Sequence, residues 1–246
     1  MKLQLIATTC FFGLSHAGFQ SMKDQLSDLT NQYIRSLIEA NRPQPRAISD
    51  ILNADNFDKL NEYACWCYFE ENHGRGHGKP VNGIDHFCKK LHDGYDCCMM
   101  DFEAATGNDS CVPWEVQYLP GTGTGESNLN FVCDGFNTVN TDTQAGFCAN
   151  CACKVEGLFV LKTFNLFVSG GTVDDAFIHS PDGPFNEKES CVLQEGIKDT
   201  ERACCGETPN RFPYKPLSGE RGCCGGLTYD TTLQECCDDN VARLSC

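Results

Sequence analysis

Basic residues are scarce in this chain. Lys and Arg number 19 against 34 Asp and Glu, for a formal net charge of −15 and a pI near 4.7. Phosphate backbones are bound by clustered Lys and Arg, so the balance excludes nucleic acid as the expected partner. The same field repels strongly anionic bilayers and leaves neutral lipid surfaces, soluble ligands or cations. The serines form no GxSxG elbow, which removes the usual serine hydrolase. Past the first twenty residues, no run is apolar for long enough to span a bilayer.

The opening segment differs in kind. Lys2, the apolar run Leu3 to Leu14 and the small residues of SHAG have the layout of a secretory signal, with cleavage expected near Ala17 or Gly18. Cysteine is abundant, with 19 in the chain. Removing Cys10 with the signal leaves an even set suited to up to nine disulfides in an oxidising compartment. Asn108-Asp109-Ser110 is an acceptor tripeptide for N-glycosylation, consistent with export.

Four regions follow from the pattern. Residues 1–17 are the signal. Residues 18–46 hold a helical stripe of Met22, Leu26, Leu29, Tyr33 and Leu37 that stops before Pro43-Gln44-Pro45, either a propeptide helix or a docked N-terminal one. Residues 47–180 hold a helix from about Ala47 to Tyr63, a helix from about Val81 to Phe102 opened by Pro80, a polar stretch from Gly107 to Ala145, and a helix from about Phe147 to Val168 stopped by Gly170-Gly171. Residues 190–246 have few large apolar side chains and six cysteines in adjacent pairs, so disulfides must stabilise that module.

The densest stretch is YACWCYFEENHGRGHGKPVNGIDHFCKKLHDGYDCCMMD, from Tyr63 to Asp101. On a helix, Asp85, Cys88, His92 and Met99 lie close to one side, so His92 faces the interior and Asp93 the adjacent flank. That suits a general base beside a metal ligand. His73, His77, His86 and His92 also suggest zinc, but the nearby Cys65, Cys67 and Cys88 are expected to be oxidised, and oxidised sulfur does not ligate.

Over roughly residues 53–168 these elements resemble secreted phospholipase A2 in their order: Tyr63-Ala64-Cys65-Trp66-Cys67, then the loop Gly74-Arg75-Gly76-His77-Gly78-Lys79-Pro80, then Asp85, Cys88 and His92-Asp93. The resemblance implies a mainly α, disulfide-rich fold with an antiparallel helix pair and a glycine-rich calcium loop. It implies hydrolysis of the sn-2 acyl ester of glycerophospholipids at a membrane or micelle surface. His92 would take a proton from water while Ca2+ polarises the carbonyl. Asp93 and the carbonyls of Gly74, Gly76 and Trp66 would hold the ion, since calcium takes carboxylate and carbonyl oxygens. Glu156, three residues after Cys153, would orient the histidine where the family has Asp. Tyr95 and Val155 stand where two cysteines normally pair, and Asp96 replaces a supporting tyrosine. Residues 203–237, ACCGETPNRFPYKPLSGERGCCGGLTYDTTLQECC, resemble the dicysteine repeats of galaxin-type matrix proteins, in which paired cysteines frame a Tyr-containing turn such as that of Tyr229. Their implied role is binding in an extracellular matrix. The competing expectation for the whole chain is a non-catalytic binding or matrix protein on the same scaffold.

Overall fold

The computed structural model describes residues 22–39, 59–69, 73–116, 118, 133, 144–180, 183–193 and 200–246. The expected signal, the 18–21 and 40–46 parts of the second region and most of the 47–63 helix lie outside these residues.

Helix α1 (Met22–Glu39) buries the expected stripe of Met22, Leu26, Leu29 and Tyr33. Helix α2 (Gly83–Thr106) starts two residues later than the sequence suggested, because Asn82 and not Pro80 caps it. The Asn82 side chain accepts from the Asp85 N–H at 3.0 Å and donates to the Tyr63 hydroxyl at 2.7 Å, the first of these being the usual N-cap bond. Gly107 ends the helix in the left-handed region at φ 69°, where glycine carries no steric penalty. Helix α3 (Gln144–Val168) begins earlier than expected and stops at the Gly170-Gly171 pair.

Helices α2 and α3 run antiparallel, as their contacts show: Gly83 meets Leu166, Gly94 meets Val155, Cys98 bonds Cys151 and Phe102 faces Phe147. A Cβ at Gly94 would come within 2.6 Å of Val155, so that glycine sets how closely the helices approach. Helix α1 packs on α3 through the edge-to-face pair Tyr33 and Phe164.

The C-terminal segment is β. Strands β1 (Ala203–Cys205) and β2 (Phe212–Tyr214), β3 (Arg221–Cys224) and β4 (Leu227–Asp230), and β5 (Glu235–Cys236) and β6 (Ala242–Arg243) form three antiparallel pairs. The chain thus combines helices with small sheets. Nine disulfides join the cysteines from Cys65 onward. In the β segment they form a ladder in which each adjacent pair bonds one way back and one way forward: Cys97–Cys204, Cys205–Cys223, Cys224–Cys236 and Cys237–Cys246. Among residues 200–246 the only buried hydrophobic residues are Cys205, Cys224 and Cys237, so cystine is the core of this module. It docks on α2 through Cys97–Cys204 and two ion pairs, Arg202 with Asp96 and Arg211 with Asp101.

Candidate functional site

Asp85 organises the approach to α2. Its carboxylate accepts from the N–H groups of Cys65, Trp66 and Val81 at 3.1, 2.7 and 2.9 Å, which ties the CxC turn to the helix start. Burial pushes this carboxyl up, and the three N–H groups oppose it. Disulfides Cys65–Cys191 and Cys67–Cys88 fix the same turn. The indole of Trp66 donates to the Gly78 carbonyl at 3.0 Å and ties the glycine loop to the CxC turn. A Cβ at Gly76 would lie 2.7 Å from the Trp66 ring, and one at Gly78, at φ +79°, would lie 2.6 Å from the Cys191 backbone. Close packing therefore accounts for two of the three alternating glycines, a use that only a residue without Cβ can serve. Gly74 is exposed at φ 88°.

His92 points inward, as its helical position required, and is 5% exposed. Burial holds its pKa down to about 3, with the charge of His73 acting the same way, while the carbonyls of Trp66 and Tyr68 oppose both. Its ring stacks on His73 at 4.3 Å, and His73 stacks in turn on Trp114 at 3.8 Å; Trp66 lies 6.0 Å away on another side. Burial lowers His73 to about 4. The imidazole is thus neutral at physiological pH and walled by rings. Its Nε2 atom is buried and has no hydrogen-bond partner among the described residues.

The structure does not bring Glu156 to that nitrogen. Glu156 is fully buried, with Oε1 accepting from the Tyr95 hydroxyl at 2.6 Å and Oε2 from the Tyr118 hydroxyl. Burial raises its pKa to about 7, and the two hydroxyls partly offset this. Tyr95, which replaces a cysteine in the resemblance, thus supplies the hydroxyl support that Asp96 cannot. Asp96 faces outward and pairs with Arg202.

Asp93 is also occupied. Lys89, one turn earlier, donates to both its oxygens at 2.8 and 2.6 Å, and the same ammonium lies 4.9 Å from the centre of the Trp66 ring. The first contact is a helical i,i+4 pair and the second a cation held over an aromatic face. The Trp66 carbonyl accepts from the Tyr68 N–H at 2.9 Å. A calcium ion needs six to eight oxygens and a free carboxylate. The described residues do not fit it as they stand, because a positive charge already sits on the one carboxylate of the expected set. No group of three or more His, Cys, Asp or Glu suited to a metal occurs among the described residues.

No protein-family model and no curated protein matches this chain. The site therefore rests on its own geometry. Sequence reading missed Trp114 and Tyr118, named His73 only as a zinc candidate and Tyr95 only as a cysteine replacement, and gave Lys89 no role at the site. Only Lys89 carried a local signal, its i,i+4 spacing to Asp93; the others reach the site through the tertiary fold.

Proposed function

We propose that the chain is an extracellular acyl-ester hydrolase of phospholipase A2 type, with His92 as general base. The observation that supports it best is an inward-facing imidazole whose buried Nε2 has no hydrogen-bond partner among the described residues, beside Asp93 on a disulfide-braced helix. A base must be unprotonated to accept the water proton, and burial keeps His92 neutral; because the same burial weakens it as a base, proton uptake requires the imidazolium to be stabilised once substrate is bound. In this reading water attacks the ester carbonyl carbon as His92 takes its proton. The proton then passes to the departing alkoxide. Lys89 is the cation nearest this centre, and Glu156 holds Tyr95 and Tyr118 in the supporting wall. Cleavage at the sn-2 ester of a zwitterionic glycerophospholipid surface comes from the resemblance and from the acidic charge. Nine disulfides suit an oxidising compartment, and no described helix is long and apolar enough to cross a membrane.

The test is fatty-acid release from phosphatidylcholine vesicles by purified protein, with calcium or with chelator, beside His92→Gln. Release from the sn-2 position, lost in the variant, supports the assignment. Because Lys89 takes the place of a metal on Asp93, release is expected to persist in chelator. Folded protein that releases nothing would end the hydrolase reading. One observation favours a second reading. Lys89 on Asp93 and two tyrosines on Glu156 leave both carboxylates of the site satisfied within the protein, as in a binding or matrix scaffold that has given up turnover.

A further inference from the structure

A cavity of about 110 Å³ lies where the C-terminal module meets α2, lined by His86, Lys89, Lys90 and Asp93 of α2, Leu158 of α3, and Pro209 to Phe212 of the module. Its charge runs against that of the molecule. In a chain of net charge −15, the wall carries three cations, Lys89, Lys90 and Arg211, against Asp93 and the Asp101 that pairs with Arg211. The guanidinium of Arg211 is fixed by Asp101 at 3.0 Å and the Gly206 carbonyl at 2.6 Å, so it stands preorganised. Lys89 is held by Asp93, whereas Lys90 has no ion pair among the described residues and is exposed at the rim. Burial and the charges of both lysines push His86 below its ordinary value, and Asp93 opposes them. Leu158, Pro209 and Phe212 form an apolar wall that strengthens charge interactions inside.

We propose that this cavity binds a compact oxyanion of phosphate type, and that the C-terminal module is part of the binding site. The volume exceeds what one water needs and accepts a tetrahedral anion. Lys90 supplies the uncommitted charge, Arg211 a guanidinium held in place by Asp101, and Asn210 and His86 further polar groups of the lining. The proposal requires neither turnover at His92 nor a metal on Asp93. A phosphate reaches such a site either free or as a lipid headgroup, and the chemistry of recognition is the same.

The experiment is calorimetric titration of the full chain with inorganic phosphate, with glycerophosphocholine and with chloride at matched ionic strength, while the His86 ring resonances are followed by NMR. Saturable binding of a phosphate species, with the His86 pKa rising as the anion arrives, is expected; chloride should do neither. Lys90→Glu should weaken binding at least about tenfold, whereas Lys188→Glu, the same charge reversal away from the cavity, should leave it unchanged. Binding of free phosphate assigns the free anion, and binding of glycerophosphocholine alone assigns the headgroup. Absence of saturation with both species, or equal loss in the two variants, overturns the site.

Discussion

Lys89 and Asp93 illustrate how one residue changes the reading of a site. The HD dipeptide and glycine loop point to a cation on the carboxylate, and a cation is there, but it is an ammonium from the same helix. The Lys89 and Asp93 side chains are 31% and 17% exposed. The pair is therefore stronger than an open surface pair yet replaceable. Burial pushes the Asp93 carboxyl up and Lys89 opposes that shift. Removing the ammonium without removing the stem should leave a carboxylate in need of a counter-ion. Lys89→Met is therefore expected to acquire a calcium-dependent rise in Tm at millimolar calcium that the wild type lacks, read by thermal unfolding with and without chelator. An equal calcium response in both proteins would show that Lys89 does not hold the position. The neighbouring His92 was legible as an inward-facing residue because helical period fixes direction. Its partners were not, since His73, Trp114 and the carbonyls of Trp66 and Tyr68 come from elsewhere in the chain, and helical period is blind to them.

At the scale of elements, the α2–α3 pair carries two buried titrating groups whose effects oppose each other. His92 binds a proton near 6.5 when unfolded and near 3 when folded, so its contribution to stability is present above 6.5 and lost as pH falls toward 3. Glu156 has the reverse sign. Its folded pKa of about 7 exceeds the ordinary carboxyl value of 4.5, so the native state holds a proton that the unfolded chain gives up. That advantage is complete below 4.5 and lost as pH rises through 7. Replacing Glu156 by Gln keeps an acceptor and a donor for the Tyr95 and Tyr118 hydroxyls but removes the titration. Relative to wild type, Glu156→Gln should gain stability between about pH 5 and pH 8, on the order of 3 kcal/mol for the full shift. Urea unfolding at the two pH values measures this, and a difference that does not change with pH would show that the carboxyl titrates normally. The stripes of α1, α2 and α3 were readable because buried apolar residues recur with the helix. The start of α2 was misplaced because Pro80 is a permissible opener, but the Asn82 side chain bonds the Asp85 N–H and wins the cap.

For the whole molecule, the sequence predicted cystine in place of an apolar core in the last fifty or so residues, since few large side chains were available there. It could not supply connectivity, because eighteen cysteines allow too many pairings and adjacent ones carry no spacing that selects among them. The ladder now gives a sharp expectation. Beyond Cys204, every disulfide of the module closes within the module, and Cys97–Cys204 alone leads back to α2. The Arg202–Asp96 and Arg211–Asp101 pairs are partly exposed, and such pairs contribute roughly 1 kcal/mol or less apiece. The covalent circuit through Cys65–Cys191 and Cys67–Cys88 makes the loop closed by Cys97–Cys204 much shorter than its sequence separation of 107 implies. Its loss should cost about 3 kcal/mol and leave the rest folded. Trypsin acting after Arg202 should therefore yield fragments that stay together on non-reducing gel filtration in the wild type and separate in Cys97→Ser/Cys204→Ser. Release of the module from the wild type would mean that the ladder has a different first rung. Retention in the double variant would mean that the docked face, and not the disulfide, holds the module against α2.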